Sequence, residues 1–215
     1  MSINIGNDVQ EWLDSLKEDS IPSLDEMPAS GLLMEQTLKY LQKALEPYNV
    51  EDDEKLVTSY MINNYVKDGT IPAPDKKKYS RDHLAYLISI CLLKQVVSLD
   101  DISFILNLDA NSHNDDHYEL FKIYKLYHDK EYEKLSQEFK EDLDFAYKTL
   151  DSKLGTPSND EKQKVYDEKL LISLAYIAYK NAITAEAHKM LAKKLISEVK
   201  KNYSQKDMKN FKNER

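Results

Sequence analysis

With cysteine present only once, the chain has no partner for an internal disulfide. Cys91 lies in the apolar run Leu87-Ile88-Ser89-Ile90-Cys91-Leu92-Leu93, where a thiol packs as a small hydrophobe. A reducing, cytoplasmic setting is the expectation. Glycine and proline are scarce as well, at 4 and 6 of 215 residues, which leaves little turn chemistry for a fold of many short strands. No apolar run approaches the ~18 residues that a membrane helix requires, and no basic-then-apolar segment opens the sequence, so no membrane association is expected. A glycine-rich phosphate loop, a nucleophile elbow and a clustered Cys/His ligand set are all missing. Pairs of acids such as Asp142 and Asp144 suggest no catalytic site by themselves. The chain is not expected to be an enzyme or to carry a cofactor.

What is plentiful is leucine, lysine, glutamate and alanine, with apolar residues recurring at helical spacing almost throughout. With 41% hydrophobic and 32% charged residues, the chain has material for one large core or two small ones. The expected class is all-α, with a possible short two-stranded β wing. Net charge is -8, yet between Lys55 and Lys94 seven cations face only three acids. A basic island in an acidic chain calls for a binding explanation.

Four regions follow from the pattern: an N-terminal helix and connector over 1–30, a winged helix-turn-helix domain over 31–108, a helical regulatory or oligomerisation region over 109–203, and a polar tail over 204–215. Val9, Trp12, Leu13 and Leu16 mark the first helix, and Ser20 to Ser30, with Pro22 and Pro28, reads as an extended connector. A second helix is expected from about Leu33 to Leu45 and a third from about Leu56 to Lys67, where Asp68-Gly69 stops it. The acidic loop Glu51-Asp52-Asp53-Glu54 separates these two. Pro72 and Pro74 forbid a helix across Thr70 to Tyr79, so this stretch is a loop or wing. Ser80 caps the next helix with His83 at its third position, and Ser98 caps another from Leu99 to Asn107.

Beyond a polar break at Asp109 to Asn114, helical spacing predicts a segment around Tyr118 to Tyr127 and a longer one carrying Leu135, Phe139, Leu143 and Leu150. Gly155-Thr156-Pro157-Ser158 interrupts the pattern. Two further helices are expected, over about Asp160 to Asn181 and Ala185 to Asn202. The stretch Leu170 to Tyr179 is apolar nearly all round, which predicts burial inside a bundle or against a second subunit.

The most informative segment is Thr58 to Pro72. On a helix, Tyr60, Asn63, Asn64 and Lys67 share a polar face while Met61, Ile62, Tyr65 and Val66 cover much of the other side. Amides can offer a paired donor and acceptor to an adenine edge, and Lys67 can reach phosphate. Lys76, Lys77, Lys78, Tyr79 and Arg81 then form a cation-rich cluster on a proline-braced loop, suited to clamping a nucleic-acid backbone.

From Met61 to Leu106 the sequence resembles the winged-helix DNA-binding domain of MerR-type regulators. The resemblance rests on Lys67-Asp68-Gly69-Thr70-Ile71-Pro72, the basic wing, Tyr79-Ser80-Arg81-Asp82-His83-Leu84 and Ser98-Leu99-Asp100-Asp101-Ile102. It implies a recognition helix with Asn63 and Asn64 in place of the family's Arg-Tyr pair, and Lys76, Lys77 and Lys78 as wing cations on phosphate. Met61 to Gly69, with Lys77-Lys78-Tyr79-Ser80-Arg81 and Leu93-Lys94-Gln95-Val96, more closely resembles a family of bacterial proteins known as DUF1836, a likeness that extends over most of the chain.

The expected function is that of a bacterial transcriptional regulator that binds duplex DNA as a homodimer through its C-terminal helices. The alternative is a non-enzymatic helical adaptor whose winged domain grips an acidic protein. His113 and His117, four apart, could place two imidazoles on one helical face, but further ligands are not evident and no metal is expected. His83, His128 and His188 read as surface or cap residues.

Overall fold

The computed structural model describes residues 5–18, 21–50, 55–110, 119–151 and 162–203. Among these the chain forms seven α-helices: α1 (Ile5–Glu18), α2 (Met34–Leu45), α3 (Ser59–Lys67), α4 (Arg81–Leu93), α5 (Leu99–Ala110), α6 (Glu119–Asp151) and α7 (Lys162–Asn202). Extended pairing among the described residues is confined to two isolated bridges, so the fold is all-α as expected. No helix among them is long and apolar enough to cross a membrane. The acidic loop Glu51 to Glu54, the Gly155 to Ser158 interruption, and His113 and His117 lie outside the described residues.

The chain divides into two compact units, which cut across the four regions expected from sequence. One unit comprises Met1–Asp19 and Asp129–His188, the other Ser20–His128 and Lys189–Arg215. In the first, Leu13 of α1, Phe139 of α6 and Ile177 of α7 form a small core with Leu135, Leu143 and Leu174 around it. Its polar clasp joins α1 to α6: the Ser136 hydroxyl donates to the Asp14 carboxylate at 2.7 Å, and the Gln10 amide donates to both at 3.0 and 2.9 Å. These bonds hold the Asp14 carboxyl below its ordinary range, chiefly through Ser136.

The second unit contains the larger core. Here α4 is buried on nearly every side from His83 to Cys91, against Leu41 and Leu45 of α2, Ile62 and Tyr65 of α3, and Ile102 and Leu106 of α5. Burial pushes the Cys91 thiol up to about 11, which keeps it an inert core group. The connector after α1 belongs to this core: Ile21 and Met27 are fully buried, and a 3₁₀ turn at Leu24–Glu26 is held by the Ser23 amide donating to the Glu26 carboxylate at 2.6 Å. What reads as a connector is therefore part of the domain. Two residues that bracket so little chain, Ile21 and Met27, carry too short a pattern to announce burial.

Two helices are longer than the sequence suggests. The segments expected on either side of Lys130 form the single 33-residue α6, and those on either side of Thr184 form the single 41-residue α7. At the second junction the polar residues are absorbed within the helix: the Asn181 amide donates to Ile177 O at 2.9 Å and the Thr184 hydroxyl to Lys180 O at 3.0 Å. Neither glycine nor proline is present there to break it.

Near its C-terminal end α7 docks on the start of α5 within the second unit. Lys200 pairs with Asp101 and lies over the Phe104 ring at 5.3 Å, and Phe104 meets Tyr203 edge to face. Lys200 and the Ser98 hydroxyl hold the Asp101 carboxyl below its ordinary range.

Candidate nucleic-acid interface

The site begins with the cap of α3. Thr58 is extended, and its hydroxyl accepts from the Met61 amide at 3.2 Å, so the helix starts at Ser59, three residues later than its apolar pattern suggests. Ile62 and Tyr65 then anchor one face in the core. On the other face Tyr60 is 73% exposed, Asn63 and Lys67 are exposed, and Asn64 is half-buried. The amphipathic division read from sequence is thus the division in the fold. The helix ends at Gly69, whose φ of +70° lets the chain turn back, with the Thr70 and Ile71 amides both donating to Tyr65 O.

The following loop is fixed by an unusual turn. The Lys78 amide donates to Asp75 O at 2.8 Å, and the two residues between them, Lys76 and Lys77, both have positive φ, 47° and 66°. Two left-handed residues closing a two-residue loop define a type I′ turn, which ordinarily takes Asn-Gly. A side chain in this conformation costs roughly 1–2 kcal/mol. Here both positions carry long, exposed ammonium side chains, and Lys78 beside them is exposed too. The β wing anticipated from the prolines is therefore reduced to a single hairpin turn.

The base of the turn is buried. Tyr79 pairs with Leu32 through two backbone bonds of 2.8 and 2.9 Å, and its ring is only 4% exposed. It packs edge to face on His83, 5.4 Å between centroids, and burial raises its phenol. Tyr79 is thus a support beneath the lysines, set apart from the exposed groups with which the sequence placed it. Arg81 is also tied inward: its Nε donates to Met27 O at 3.0 Å, which joins the start of α4 to the segment before α2.

Two supporting residues carried little sequence signal. His83, expected as a surface or cap residue, does cap α4, but it is buried and also bridges to a second element. Its Nδ1 accepts from the Ser80 amide at 3.0 Å, and its Nε2 donates to Pro72 O at 3.2 Å. Gly31 runs against the turn: a Cβ there would lie 2.9 Å from Lys78 Cβ. Gly31→Ala is expected to push Lys78 aside and loosen the Leu32–Tyr79 pairing, at a cost of about 1 kcal/mol in urea unfolding. An unchanged unfolding midpoint would show that the approach is slack.

Among the described residues no cluster of His, Cys, Asp or Glu is arranged to hold a metal ion. Lys94, another of the basic residues, is engaged within the fold, its Nζ donating to Leu56 O at 2.8 Å. The cations left facing outward are Lys67 and the three of the turn, with Lys55 exposed ahead of α3.

Comparison with known families matches residues 22–127 to the family described as a domain of unknown function, DUF1836. The match covers α2 to α5 and the beginning of α6, a narrower span than the sequence resemblance suggested. No curated protein and no solved structure matches the chain.

Proposed function

We propose that the unit built around α4 binds duplex DNA as part of a transcriptional regulator, with the turn at Lys76, Lys77 and Lys78 clamping phosphates and the exposed face of α3 offered to the bases. The observation that carries this reading is the turn itself. Two lysines occupy left-handed positions that glycine or asparagine would fill at lower cost, which is understandable where their charge is needed at that tip. Compact ammonium groups on flexible stems suit phosphate, which they neutralise without reading sequence. Tyr60, Asn63, Asn64 and Lys67 supply the polar groups that could discriminate base edges, and the sequence resemblance to MerR-type winged helices implies a recognition helix at this position.

Salt dependence tests the proposal. If about four phosphates are neutralised, log affinity for random duplex DNA falls with log salt at a slope near -3.6, at about -0.9 per phosphate. Replacing Lys76, Lys77 and Lys78 by Ala is expected to reduce that slope by about 2.7 on every sequence alike. Absence of binding at low salt, or an unchanged slope in the triple variant, would remove the clamp.

A further inference from the structure

We propose that the second unit holds a binding site for a single-ring aromatic compound, in a cavity of about 80 Å³ walled by α4, α5 and the start of α6. Each helix gives it one face. Tyr86 and Ser89 lie three apart on α4, Ile102 and Leu106 lie four apart on α5, and Phe121 of α6 completes the wall. All five are buried. Room is left beside Ser89, a small residue among Leu87, Ile88 and Ile90. An empty apolar space of this kind lowers stability, and a ligand that fills it restores what is lost.

The wall selects the chemistry. No charged side chain lines the cavity, and the surface facing it is almost wholly carbon. The Ser89 hydroxyl is committed within α4, donating to Ala85 O at 3.0 Å. A charged group inside would lose its water and gain no partner. Three of the lining side chains are aromatic: Tyr86, Phe121 and, at the rim, Tyr124. Phe121 and Tyr124 are tilted by 38° with centroids 6.2 Å apart. A ring finds edge and face partners among them, which a saturated ligand of the same size does not.

Size and access set the limit at one ring. Enclosed apolar cavities of about 150 Å³ stay dry and take benzene or xenon. This one is about half as large but open on one side, where Ile105, Leu120 and Tyr124 are only half-buried. A ring therefore seats with its apolar edge inward and leaves a polar substituent at the mouth, in water.

Titration of the full chain with p-cresol, without nucleic acid, tests this independently of DNA binding. Saturable binding is expected, with a dissociation constant on the order of 0.1–1 mM. Nuclear Overhauser contacts are expected from the bound ring to the methyl groups of Ile102 and Leu106. Cyclohexanol, a similarly sized alcohol without a π face, is expected to bind about fivefold more weakly. Ser89→Leu fills the cavity and is expected to weaken p-cresol binding by about tenfold or more while circular dichroism keeps its helical signal. Ser89→Ala keeps the space and is expected to bind as the wild type does. The Overhauser contacts of the wild type decide the matter even if Ser89→Leu fails to fold. No saturation by about 10 mM overturns the proposal, as do ring contacts that miss both Ile102 and Leu106. Undiminished binding in a folded Ser89→Leu variant overturns it too, and so does cyclohexanol binding as tightly as p-cresol.

Discussion

Exchanging Lys76 for Asn and Lys77 for Gly is expected to make the protein more stable and a poorer ligand for DNA. Both native residues sit in the left-handed region, at a cost of roughly 1–2 kcal/mol each. Glycine relieves it almost fully and asparagine partly, and the greater freedom of glycine in the unfolded chain takes back about 0.5–1 kcal/mol. A net gain of about 1 kcal/mol remains, which at this domain size raises the melting temperature by about 4 °C. The same exchange removes two ammonium groups from the tip. Affinity for duplex DNA at low salt is then expected to fall by about tenfold, with the salt slope smaller by about 1.8. Opposite movement of stability and binding distinguishes a strained functional turn from an ordinary surface loop. Calorimetry showing no stabilisation, or binding that survives intact, would dispose of the idea.

His83 carries the other large effect. Replacing it by Ala strands the Ser80 amide and the Pro72 carbonyl, each worth about 1–3 kcal/mol when left unpaired, so a loss of about 3 kcal/mol is expected in urea unfolding at pH 7.5. The wild-type protein is also expected to weaken on acidification. Burial lowers the imidazole from its ordinary 6.5, against weaker support for the cation from Pro72 and Asp82. Above pH 6.5 the ring is neutral whether the chain is folded or not, and its contribution is fully present. As pH falls below 6.5 the unfolded chain takes up the proton first, and stability declines until the folded imidazole titrates as well. Protonation would also turn Nδ1 into a donor, which ends its acceptance from the Ser80 N–H and leaves it only the Ser80 hydroxyl, 2.8 Å away, as an acceptor. His83→Asn keeps an acceptor for Ser80 without titrating. It is expected to unfold between wild type and His83→Ala at pH 7.5 and to lose this segment of pH dependence. A wild-type midpoint that stays level between pH 7.5 and 5 would contradict the assignment.

How far the sequence disclosed these features depended on their range. Caps are local, so Thr58 aside, the ends of α2, α3 and α4 lie close to their expected places, and Gly69 turns the chain where its permissiveness suggested. The amphipathic face of α3 was equally legible because one helix contains the whole pattern. The turn was visible only as charge. Nothing in the run Lys76-Lys77-Lys78 announces positive φ, since lysine avoids that region and the conformation is enforced by the Asp75–Lys78 bond and by Tyr79 anchored beneath. Long-range ties escaped for the same reason. Arg81 reaches Met27 and His83 reaches Pro72 through tertiary placement, which no periodicity records. The missing break in α7 is the converse case, where polar residues that often end helices bonded back into this one.

The clasp between Lys200 and Asp101 joins residues separated by 99 positions. Most contacts around α4 involve nearer neighbours in the chain and can form early, whereas this clasp must await the last turn of α7. On a ribosome, α5 therefore emerges long before the helix that covers Phe104 and neutralises Asp101. During that interval the first turn of α5 relies on its Ser98 cap alone, and the apolar ring of Phe104 stays without its cover. The order of synthesis thus makes this corner the last part of the domain to mature and the part most open to chaperones or to misassociation.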